Sequence, residues 1–297
     1  MGIRSKFEGY LIIAVLAASL SCAPPQTVAT FAEAASGAIT SGAPIFSDLY
    51  DSCVRRHQDA GPIVPVYSIG AENSASDPAG SVPPACRVFA GERDALIRMS
   101  AVLAAYFRAM QDLAEFGASS VAAPSAEAGV GASMAASLST VQADSVSKLS
   151  GLVLELFTRR YQHERIATLL RTADPHVAVI TRGLEKIVGT DYNSLLEEEE
   201  RTLKRRYQRA GATTNGTAVV LLLDRAYSED MRQLEQRRAF AATYVEALQQ
   251  VRDGHGKLAL NSAHLGSKQV GLALQPDISR LQGLAPQTAG ISKGTHQ

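Results

Sequence analysis

The chain has 297 residues with 29 basic and 29 acidic side chains, so its formal net charge is zero; nucleic-acid binding, which calls for a basic face, has no electrostatic support. It contains no Trp and only 6% aromatic residues, which disfavours a sugar-stacking or base-stacking surface. Its length suits one large or two modest domains, and plentiful Ala with recurring Leu, Glu, Gln and Arg favours helix almost throughout.

The first 22 residues carry Arg4 and Lys6, an apolar run from Tyr10 to Leu20, and small residues ahead of Cys22. That is the three-part build of an export signal, and the run is about half the ~20 residues a membrane span needs. Its end, Leu16-Ala17-Ala18-Ser19-Leu20-Ser21-Cys22, resembles the lipobox of bacterial lipoproteins, although the Leu stands two residues before the cysteine where that family usually has it three before. The resemblance implies cleavage after Ser21, a diacylglyceryl thioether on Cys22 and an acylated (palmitate-type) amino terminus. A chain so processed is lipid-anchored in the bacterial cell envelope, facing the periplasm or exterior. Ser19 and Ser21 also meet the small-residue rule of an ordinary signal peptidase, which would release a soluble periplasmic or secreted protein, and a buried helix of a cytosolic protein is the third reading. Gly2 does not make a myristoylation site, because position 6 is Lys6.

Two further cysteines, Cys53 and Cys86, lack the Cys-x-x-Cys spacing of redox or metal sites. In an oxidising compartment such a pair is most simply a structural disulfide; two free buried thiols are the alternative. Pro24-Pro25 makes a stiff spacer. Val28, Phe31, Ala35 and Ile39 then predict a short helix limited by Gly37, Gly42 and Pro44, and Ile45, Leu49 and Cys53 predict a second to His57. Asp59 to Ala85 is broken by prolines and glycines and reads as loop.

Phe89, Glu92, Leu96, Met99, Leu103, Tyr106, Met110 and Leu113 alternate by three and four, the seam of a packed helix. Met99 and Met110 could form a soft binding stripe but read more simply as core. Gly117 to Ala136 is a linker. Leu138, Val141, Leu149, Leu152, Leu156, Ile166 and Leu170 predict the next helix, with Ser145 and His163 on its seam; His163 lacks the second His that a zinc pair would need. Asp174-Pro175 reads as the boundary with another helix, which carries Val177, Ile180, Leu184, Tyr192, Leu195, Leu203 and Tyr207. Glu197 to Glu200 and the basic run behind them read as a solvated face, supported by pairs such as Glu200 with Lys204.

Gly211 to Thr217 reads as a turn. Val220, Leu223, Tyr227, Met231, Leu234, Ala241, Val245, Leu248 and Val251 predict a long partner helix, ending at Asp253-Gly254-His255-Gly256. The two make an αα-hairpin, each arm roughly 50 Å long, longer than one compact core requires, so its tip should project or meet a partner. A weaker helix, interrupted at Pro276, and a polar mobile tail close the chain.

The expected architecture is all-α: an elongated antiparallel bundle with a long αα-hairpin and a disulfide-tied N-terminal loop region. The expected organisation is a signal peptide over 1–21, a tether and short helix over 22–44, the bundle over 45–285 and a flexible tail over 286–297. No phosphate loop, Gly-x-Ser-x-Gly, His-Glu-x-x-His or dinucleotide fingerprint occurs, and no Glu-x-x-His marks a di-iron bundle. No catalytic, cofactor-binding or metal residue is assigned, and no cofactor, nucleic acid or small-molecule substrate is expected. The expected role is a non-enzymatic envelope scaffold or interaction module that meets the membrane through lipid on Cys22 and a protein partner through the hairpin. A membrane-active, pore-forming-like helical protein and an enzyme with an unrecognised inter-helix site are the alternatives.

Overall fold

A computed structural model describes residues 26–59, 84–116, 139–158, 164–213 and 216–292. Residues 1–21, expected as a signal peptide, Cys22, most of the expected loop over 59–85, the expected linker over 117–136 and His163 lie outside the described residues. Every element within them is helical, and the helices pack as a bundle. They are α1 (Gln26–Thr40), α2 (Ala43–Asp59), α3 (Arg87–Phe116), α4 (Thr140–Thr158), α5 (Glu164–Lys186), α6 (Asn193–Thr213), α7 (Thr217–Leu260) and α8 (Lys268–Ser292). A six-residue π turn, Ile187–Tyr192, joins α5 to α6.

The helix that the sequence groups with the tether sits at the centre. Val28, Ala29, Phe31, Ala32, Ala35, Ala38 and Ile39 of α1 are all buried. A helix apolar on nearly every side has to be enclosed, and its four buried alanines let α3, α7 and α8 come close. The α3 seam is as expected: Leu96, Met99, Leu103, Tyr106, Met110 and Leu113 are buried in the common core. In α4 the face is rotated from the expected one. Val146, Leu149 and Val153 point inward, while Val141 is 61% exposed.

Three expected breaks do not occur. Pro175 lies inside α5 and Pro276 inside α8. Both prolines face solvent, so the carbonyls four residues back, of Arg171 and Leu272, which lose an N–H partner, lie on exposed turns where water can replace it. α7 runs on through Asp253-Gly254-His255-Gly256 to Leu260, and Gly254 and His255 within it are buried in the core. A Cβ on Gly254 would lie 2.2 Å from Cε2 of the buried Phe31, so here the glycine serves close approach and not helix termination. α8 likewise continues to Ser292, past the expected start of the tail.

α5, the π turn and α6 together run antiparallel along α7, giving the expected hairpin. α7 has 44 residues, about 66 Å of helix. Its buried residues begin only at Leu234; the part from Thr217 through Gln233, about 25 Å, touches α6 and projects as an arm. Gly216, with φ of +139°, starts it in a conformation that side chains rarely adopt.

Gly254→Ala should destabilise the fold by ~1–3 kcal/mol through overpacking against Phe31. Urea denaturation should show a lower midpoint at an unchanged slope; a midpoint at or above the parent's would mean that Phe31 can move aside.

Candidate functional site

Where the arm leaves the bundle, three helices meet at one carboxylate. Glu199 of α6 is 1% exposed and is held by three donors from two other helices. Ser52 Oγ donates to Oε2 at 2.6 Å and Arg55 Nε to Oε1 at 3.0 Å, both from α2. Arg237 of α7 forks onto both oxygens at 2.9 and 2.8 Å. Asp48 completes the group by accepting from Arg55 at 2.6 Å, from Arg237 at 3.3 Å and from the Tyr192 hydroxyl. The π turn makes the last contact possible, since an inserted residue rotates the next stretch of helix by about 100° and brings Tyr192 to bear on α2. No buried side-chain polar atom is left unpaired among the described residues.

The electrostatics arise from this packing. Burial pushes the Glu199 carboxyl up, but the Arg237 hydrogen bonds and the charges of Arg237 and Arg55 outweigh it, leaving Glu199 below the usual carboxylate range. Burial works against charge on Arg237 too, and Glu199 and Asp48 more than restore it. Burial, then the Asp48 charge, pushes the Tyr192 hydroxyl up, so it stays a donor. The network is a clamp whose buried polar atoms are all paired.

This corrects the reading of Glu197 to Glu200 as one solvated face. Glu200 does pair with Lys204, and with Arg238 at 2.7 Å, and Glu198 pairs with Arg56, but Glu199 points inward. The sequence does carry a sign of it: Glu199 stands three residues after Leu196 and four before Leu203, both buried. Arg237 likewise falls three after Leu234 and four before Ala241.

Cys53 and Cys86 form the expected disulfide, buried beneath the clamp's α2 and closing a separation of 33 residues. Nδ1 of the exposed His57 lies 3.6 Å from Cys86 Sγ and 3.0 Å from the Cys53 carbonyl. These three side chains are close enough to share an ion. The sulfurs, however, are bonded to each other, and Nδ1 must donate its proton to the carbonyl, which can only accept. The arrangement is a structural disulfide with a hydrogen-bonded histidine beside it.

A second charged cluster lies in the core. Nδ1 of fully buried His255 is 2.9 Å from Asp174 Oδ1, and Nε2 is 2.9 Å from the Tyr106 hydroxyl. The carboxylate can only accept, so Nδ1 carries a proton, and Nε2 pairs with the Tyr106 hydroxyl. The order Asp–His–hydroxyl resembles a nucleophile relay, but Tyr106 is fully buried, and burial, then Asp174, pushes its pKa upward. No substrate can reach that oxygen, so the relay ties α3, α5 and α7 together. Along the sequence His255 reads as part of a helix end; its place four after Val251 and three before Leu258 is the usable sign of burial.

Beyond the clamp, an open cleft of about 810 Å³ separates the end of α2 from α6, lined by Arg56, His57, Thr202, Arg205 and Arg209 among others. Past it, on the arm, Val219 and Val220 are 46% and 47% exposed and Leu221 and Leu222 are 65% and 66% exposed. Among the described residues no helix is long and apolar enough to cross a membrane. Comparison with protein-family models, curated proteins and solved structures finds no match for the chain.

Glu199→Ala would strand two guanidiniums and should cost ~3–5 kcal/mol, whereas Glu199→Leu combined with Arg237→Met should recover most of that. Because the Glu199 pKa is depressed by folding, its stabilisation is complete above the ordinary carboxylate value of about 4.3 and is lost as pH falls through its lower folded value. Urea melts at pH 7 and pH 3 should therefore show a larger acid loss in the parent than in the double variant; equal losses would refute the clamp's charged state. Reduction, or Cys53→Ser with Cys86→Ser, should cost ~3–4 kcal/mol by the loop-closure model, read as a fall in the urea midpoint.

Proposed function

We propose that this protein is a non-enzymatic helical scaffold of the bacterial cell envelope, tethered by lipid on Cys22, whose α6–α7 arm is its interaction surface. The observation that carries the reading is the division of α7. One continuous helix is buried from Leu234 onward and exposed before it, so the bundle serves as a base from which a rigid rod extends. The clamp at Glu199 sits where the rod leaves the base, and the disulfide braces the same helix, α2. Such an arrangement holds an exposed surface at a fixed distance and angle, which is what a spacer or docking element needs. The chemistry supports a role through shape: among the described residues no buried side-chain polar atom lacks a partner, and the two polar clusters serve to join helices.

The tether is tested by expressing the whole chain in a bacterial host and measuring the intact mass of the membrane-fraction protein. The expected product starts at Cys22 and carries a diacylglyceryl group and an acylated amine, and Cys22→Ala should leave the chain unlipidated. Recovery of a chain that keeps Met1 in the cytosol would overturn the export reading, and a soluble envelope product without lipid would overturn the tether.

A further inference from the structure

We infer that the end of the α6–α7 arm is a docking surface for anionic phospholipid headgroups, entering the membrane interface end-on without crossing the bilayer. The inference takes the arm as the interaction surface proposed above and names what it meets.

The first observation is the exposure of Val219, Val220, Leu221 and Leu222 together. Four consecutive apolar residues point to four sides of a helix, so no single neighbouring helix can cover them. A medium that surrounds the tip can. Ala218 to Leu223 spans ~9 Å along the axis, comparable to the ~5–10 Å depth to which interfacial helices bury their apolar residues. The connection itself, Thr213 to Thr217, carries no charge.

The second observation is the charge behind the tip. From Arg201 to Gly216 the chain has five basic residues and no carboxylate; Lys204 is paired with Glu200, and the collar consists of Arg201, Arg205 and Arg209. Arg205 donates to the Arg201 carbonyl and to Thr202 Oγ1, and Arg209 to the Arg205 carbonyl, so these partners are neutral oxygens that leave the positive charge uncompensated. Both line the cleft with Arg56 and His57. Arg209 lies about 6 Å and Arg205 about 12 Å back from the end of α6, the level at which phosphates would stand if the apolar turns were sunk in the interface. On the facing helix, Asp230 accepts from Tyr207 and Glu229 pairs with Arg232; Asp224 stands next to Arg225.

A second copy of the chain fits less well, because a tip-to-tip contact would bring two positive collars together. An anionic membrane surface satisfies the apolar end and the collar at once, with the cleft able to take a headgroup phosphate.

The absence of Trp from the chain allows a local test on the full-length protein. Leu222→Trp places one fluorophore at the tip, and Leu260→Trp, at a position 88% exposed near the opposite end of α7, provides a control. With vesicles of equimolar phosphatidylglycerol and phosphatidylcholine, emission from position 222 should shift to the blue while that from position 260 should not. High salt, or Arg205→Glu with Arg209→Glu, should abolish the shift. Val220→Asp with Leu221→Asp in the reporter background should weaken binding roughly tenfold or more, with helicity by circular dichroism unchanged. No shift at position 222, an equal shift on pure phosphatidylcholine, equal shifts at both positions, or a vesicle-free shift that grows with protein concentration would each overturn the inference. These readouts do not depend on lipid at Cys22, so a silent tip with a normally lipidated chain sinks this inference alone, and a responsive tip with no lipidation sinks the tether alone.

Discussion

Everything distinctive about the shape depends on one carboxylate that would not be charged in its surroundings without help. Taking Glu199 out of water is costly, and only the simultaneous grip of Ser52, Arg55 and Arg237 offsets that cost. Since those donors come from α2 and α7, the carboxylate can be satisfied in one arrangement of three helices only. Asp48 and Tyr192 extend the constraint to the π turn. An apolar contact in the same place would tolerate sliding or rotation of α6; a forked ion pair with fixed directions does not. The exit angle of the arm is thereby set by hydrogen-bond geometry, in a region where apolar packing is thinning out.

The long helix α7 passes through two environments. From Leu234 to Ala259 it contributes Phe240, Tyr244, Leu248, Val251 and Leu258 to the core, with Tyr244 packed edge-on against Phe46. Ahead of Leu234 it packs on α6, through contacts such as Tyr207 against Tyr227. Arg252 with Glu185 and Lys257 with Asp277 fix its buried half to α5 and α8. Stability is thus concentrated at one end of a continuous rod and exposed surface at the other. A rigid helix carries the position of the first to the second.

The internal polar groups share a logic. His255, Asp174 and Tyr106 link three helices in the core, as the Glu199 cluster links three at the edge. Both clusters use residue types common in active sites, and in both the buried donors and acceptors are paired internally. Saturation together with burial marks them as orientation-setting: they select one packing register among several that apolar seams alone would permit. Exposed, unsaturated charge collects elsewhere, along Arg201, Arg205 and Arg209.

How much can be read before folding depends on the range of the interaction involved. Helical content, the α3 seam, the paired cysteines and the αα-hairpin come from spacing and propensity along short stretches, and those the residues themselves determined. Pro175, Pro276 and the Gly254 region read as ends because a local rule treats every proline or glycine alike, whereas the cost of a missing N–H or side chain depends on whether that face meets water or Phe31. The spacing of Glu199 from Leu196 and Leu203 hints at its inward direction, but its pairing with an arginine 38 positions away was decided by tertiary structure alone. A charge is tolerated inside only where distant donors converge on it, and convergence is a property of three helices in space that no single stretch of chain contains.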